Sequence, residues 1–151
     1  MRNRTLSLAL IAGLGFAMPS AIAATPQGQL IAAAPHGQGI ALQKAEAPVT
    51  GTVTVKHDGG KTSLVFSKDF STNPKAPALQ VVLVKSATPL KTLKAPSYPL
   101  KAGGYTQVAP LKSPKGAQTY TLPAGVDIKA YGSVLIWCKV ANATMAWAPL
   151  K

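Results

Sequence analysis

The sequence predicts an all-β fold, an antiparallel β-sandwich or open barrel of eight or nine short strands in a single domain. Three observations predict it. From Gly51 onward the chain breaks into short runs that alternate apolar and polar residues or are apolar throughout. Those runs are rich in valine and threonine, and prolines and glycines fall between them. No helical period lasts longer than about two turns.

Residues 1–23 read as an export signal. "MRNR" is a positive start, "TLSLALIAGLGFAM" is an apolar run of secretory length, and "PSAIAA" offers small residues at Ala21 and Ala23. Cleavage is placed after Ala23. The run is shorter than the roughly 20 apolar residues of a membrane anchor, so no transmembrane segment is expected in the mature chain. Secretion or a periplasmic location follows. Residues 24–46 form a flexible or partly helical lead, because Pro35, Gly37 and Gly39 deny it a long helix. A short helix is expected near residues 40–46. The β-domain is assigned to residues 47–151.

The strands then follow in order. "GTVTVKHDGGKTSLVFSKDF" reads as strand, turn and strand. Val53, Val55 and His57 share one face of the first strand, "DGG" at 58–60 turns, and Leu64 and Phe66 face one way on the second. "STNPKAP" is a loop. "LQVVLVK" at 79–85 is apolar on both faces, which places it centrally. Pro89, Pro96 and Pro99 break the next stretch into short pieces, and residues 86–118 either form a pocket or cross between strands. "YTQVAPL" is an edge strand ended by Pro110. "QTYTLP" and "VDIKAY" flank a turn at Ala124 and Gly125. "SVLIWCKV" at 133–140 is the most strand-like stretch, with Val134, Ile136, Cys138 and Val140 on one face and Leu135, Trp137 and Lys139 on the other. "ATMAWAPL" closes the chain.

Composition bounds the chemistry. A mature chain of about 127 residues is one domain. The 16 lysines and arginines face four carboxylates, and Arg2 and Arg4 both leave with the signal. Fourteen lysines remain, spread singly, for a mature net charge of +10. Arginine makes the bidentate phosphate and base contacts, so its absence argues against specific nucleic-acid recognition. Weak contact with an anionic surface is the charge-driven alternative.

Cys138 is the sole cysteine, so no internal disulfide forms. On an apolar strand face it reads first as a small hydrophobe. A mononuclear copper site would draw on Cys138, Met145, His57 and His36, since copper of that kind takes a thiolate, two imidazoles and a weak thioether. No histidine lies between Cys138 and Met145, and no paired spacing suggests zinc, so no cofactor is predicted, with copper or another redox metal as the alternative. Scattered single carboxylates and the lack of a phosphate loop argue against an enzyme. Tyr98, Tyr105, Tyr120, Tyr131, Trp137 and Trp147 read as core and rim packing ahead of a ligand face.

The chain also resembles the DM-thirteen domain family over roughly residues 47–151. "QTYTLPAGVDIKAYGSVLIWC" carries the resemblance, through Tyr120 to Pro123 and through Ser133, Val134, Ile136, Trp137 and Cys138. The leading "GTVTVKHDGGKTSLVFSKDFST", Pro77, Leu79, Ala148 and Leu150 also match. The resemblance implies a β-sandwich and an electron-transfer role centred on the cysteine, here Cys138, with Trp137 beside it. It implies no particular cofactor. The family's acidic residue before Leu79 is Ala78 here, its phenylalanine after the cysteine is absent, and so is a glycine near the last strand. Two functions are therefore expected. The first is a non-enzymatic exported accessory domain that meets an envelope or extracellular protein. The second is a redox module using Cys138.

Overall fold

The computed structural model describes residues 37–151. The expected export signal, most of the lead and His36 lie outside the described residues. Among the described residues nine strands form two antiparallel sheets, as a sandwich rather than a closed barrel. They are β1 (Ile40–Ala41), β2 (Gln43–Lys44), β3 (Thr52–Asp58), β4 (Lys61–Phe66), β5 (Leu79–Val84), β6 (Thr106–Pro110), β7 (Gln118–Thr121), β8 (Ser133–Cys138) and β9 (Ala143–Pro149). One sheet has the order β1-β3-β4-β7 and the other β2-β9-β8-β5-β6.

Alternation decides the core. Val53 and Val55 of β3, Leu64 and Phe66 of β4 and Tyr120 of β7 face Leu79, Val81 and Leu83 of β5 and Val134, Ile136 and Cys138 of β8. The aromatic centre is Phe66, with Phe70 at 4.9 Å and Tyr120 edge-on at 5.7 Å. The "DGG" turn closes the β3–β4 hairpin with both glycines at positive φ, 53° and 76°.

The outer face of the five-stranded sheet is also buried. Val82, Val84, Leu135, Trp137 and Trp147 form a second cluster there. The connection from β5 to β6 covers it, carrying a single helical turn α1 (Pro89–Thr92), and Leu90, Leu93, Leu100 and Tyr105 supply the covering side chains. This cover explains why β5 and β8 are apolar on both faces. The proline-rich stretch is therefore a lid over a sheet, and it also lines a cleft.

Three sequence expectations are corrected. The helix expected near residues 40–46 is two short strands: Ile40–Ala41 pairs with β3, Gln43–Lys44 pairs with β9, and Leu42 is buried between them. The chain here steps from one sheet to the other, and its backbone bonds go to partners distant in sequence. The second segment flanking Gly125 is no strand; it holds a 3₁₀ turn at Ile128–Ala130, capped by the Asp127 carboxylate accepting from the Lys129 amide at 3.0 Å. Val140 does not continue the inner row. The last strand before it ends at Cys138, and Val140 sits in the hairpin loop, 73% exposed. Gly132, which enters β8, packs so closely that an added Cβ would overlap the backbone of residues 85–87.

Candidate functional site

Cys138 is the last residue of β8, paired across to Leu79 of β5 and Ala143 of β9. It faces the inter-sheet core and is 1% exposed. Its thiol donates to the Pro77 carbonyl oxygen, with Sγ 2.9 Å away. That acceptor satisfies the S–H in its protonated form. Pro77 itself is exposed, as are Pro74, Lys75 and Ala78 around it, so the acceptor of the thiol belongs to a surface loop. The corner is shaped by Ala78, which has φ of 54° and whose carbonyl accepts from the Lys139 amide at 3.2 Å.

Trp137 precedes Cys138, and adjacent strand residues point to opposite faces. Its indole lies in the outer cluster, 4% exposed, with the Tyr105 ring 4.9 Å away and Nε1 donating to Asn142 Oδ1 at 3.0 Å. The Trp-Cys pair thus spans the sheet, with a thiol on one side and an indole on the other.

The candidate metal ligands do not converge. Met145 shares the core with Cys138. His57 lies at the turn end of β3, exposed, with Nδ1 2.9 Å from the Thr62 hydroxyl, beside a surface hollow shared with Asp127 and Lys129. That hollow adjoins the segment leading into β8, whereas Cys138 stands at the far end of β8, roughly 17 Å along the strand. A thiolate–imidazole–thioether set is therefore not assembled from Cys138, His57 and Met145. Among the described residues no three of His, Cys, Asp and Glu gather as a cation site.

The remaining motif residues hold the scaffold. Ser133 donates to the Ser86 carbonyl at 2.7 Å, and Val134 and Ile136 are fully buried. Pro123 accepts from the Val126 amide at 3.1 Å, making the turn after β7. The Tyr120 hydroxyl accepts from the Lys112 amide at 2.8 Å and donates to Gln118 Oε1. Burial pushes the Tyr120 phenol above its ordinary value of 10.0, and the bond from the Lys112 amide partly offsets that rise.

Sequence reading missed one feature and left another open. Asn142, at φ 46° in the β8–β9 loop, accepts from the Leu100 amide at 2.9 Å and donates to the Leu100 carbonyl at 3.2 Å. An asparagine in a turn was a visible signal; its partner 42 residues away was not. The second is a cleft of 370 Å³ beneath the α1 region, whose walls come from four separate stretches of chain.

Fold and thiol together define a small β-sandwich domain with one buried cysteine at a strand end. A family model described as "Electron transfer DM13" matches residues 41–150, and the chain belongs to that family. No curated protein and no solved structure matches the chain. No helix among the described residues is long and apolar enough to cross a membrane.

Proposed function

We propose that the protein is an exported redox module in which Cys138 is the reacting group. The observation that carries this reading is membership of the electron-transfer family. The sulfur lies at a strand end, bonded to the carbonyl of an exposed loop residue, so a partner would reach it through that loop. The loop shields the thiol, and opening the corner at Pro77 and Ala78 would bring it to a partner. The chemistry is exchange with a partner disulfide. Cys138 loses its proton, its sulfur bonds to one partner sulfur, and the other partner sulfur leaves and takes up the proton. Export rests on the signal-like pattern of residues 1–23.

The test is thiol titration with an aromatic disulfide reagent, with and without denaturant, together with metal analysis of protein purified from its own compartment. Native labelling faster than global unfolding, abolished by Cys138→Ala, is expected. Labelling only in denaturant, without bound copper or iron, would sink the redox reading. The burial of Cys138 supports a second reading, in which it is core packing and the domain is a non-enzymatic accessory of the envelope.

A further inference from the structure

The cleft over the outer face of the five-stranded sheet has features of a small-molecule site. Its 370 Å³ falls within the range that encloses small ligands. Leu93, Leu100 and Tyr105 supply apolar and aromatic wall. The Tyr105 ring is held from behind by Trp137, and the hydroxyls of Thr106 and Tyr131 lie 2.8 Å apart, which fixes the Tyr131 side of the cleft. The wall is thus braced on both sides before any ligand arrives.

Charge selects the ligand. Lys85 and Lys101 line the cleft, both exposed, and no carboxylate lines it. Lys91 and Lys94 extend the positive field along the covering segment. Asp127, the acidic residue nearest in sequence to Tyr131, is turned to cap the Lys129 amide. An apolar and aromatic wall with two lysines in the lining suits a molecule with an aromatic body and one anionic end.

We propose that this cleft binds a small aromatic carboxylate, with its ring against Leu93, Leu100 and Tyr105 and its carboxylate toward Lys85 and Lys101. The site is independent of Cys138, whose side chain faces the other side of the sheet.

The probe is 2-naphthoate, titrated into the protein and followed by amide NMR shifts and tryptophan fluorescence. Saturable shifts are expected at Leu93, at residues 100–106 and at Tyr131, with quenching of Trp137. The cationic analogue 2-naphthylmethylammonium should bind at least tenfold more weakly. The double substitution Lys85→Gln with Lys101→Gln changes two exposed side chains and leaves the fold intact. It should weaken 2-naphthoate at least fivefold while leaving the affinity for neutral 2-naphthol unchanged. Non-saturating shifts, a shift pattern matching that of acetate, equal binding of the cation, or shifts mapping elsewhere on the lysine-rich surface would each overturn the proposal.

Discussion

Asn142 does several jobs with one side chain. It adopts a left-handed conformation that most residues resist, and it bonds both backbone groups of Leu100 and the indole of Trp137. Replacing it with alanine leaves a buried indole N–H and a covering loop without partners. Asn142→Ala should therefore lose about 1–3 kcal/mol of stability in urea unfolding, with altered tryptophan emission as the cover loosens. Ala78 shows the converse. It occupies a left-handed corner with no side-chain oxygen to favour it, at the position where the resemblance leads one to expect an acidic residue. An acidic side chain there would favour that backbone conformation by bonding locally.

At the scale of elements, β7 and the turn before it form a unit locked by Tyr120 and Gln118. Gln118 Nε2 donates to the carbonyls of Ser113 at 2.9 Å and Gly116 at 3.2 Å, while the phenol holds the Lys112 amide at 2.8 Å. The raised phenol sets a pH dependence. Below about pH 10 tyrosine is protonated in both folded and unfolded chains, so the contribution is fully present. Above that value the unfolded chain ionises first, and stability is lost as pH rises through the higher folded value. The urea midpoint should fall more steeply above pH 10 in the parent than in Tyr120→Phe, which should already be less stable at neutral pH. Equal alkaline slopes would contradict the assignment. The Tyr-x-x-Pro motif thus acts as a structural lock and a turn.

For the whole molecule, charge and architecture separate. The sandwich is held by apolar contact between sheets and under the covering segment, while the exposed lysines and carboxylates of residues 37–151 give the surface a formal net charge of +10. Attraction to polyanions should follow from charge alone. Binding to heparin is expected at low salt and should be largely lost by moderate salt, since lysine contacts act through counterion release and screening. Affinity that survives moderate salt would reveal a shaped anion-binding site outside the cleft.

The all-β class was legible because strand periodicity and turn chemistry are local properties, written in runs such as 51–66 and 133–138. The burial of Cys138 was legible for the same reason, as was the interior place of β5, between β8 and the edge strand β6. Residues 40–46 misled because their backbone partners lie in β3 and β9, far along the chain. Local pattern also could not announce the carbonyl over the sulfur, the grip of Asn142 on Leu100, or a cleft drawn from four stretches of chain. The sequence by itself determined which residues turn inward, since alternation along a strand needs no knowledge of neighbours. Only the tertiary structure decided which groups meet, since contacts between distant segments depend on how the two sheets and their cover close on one another.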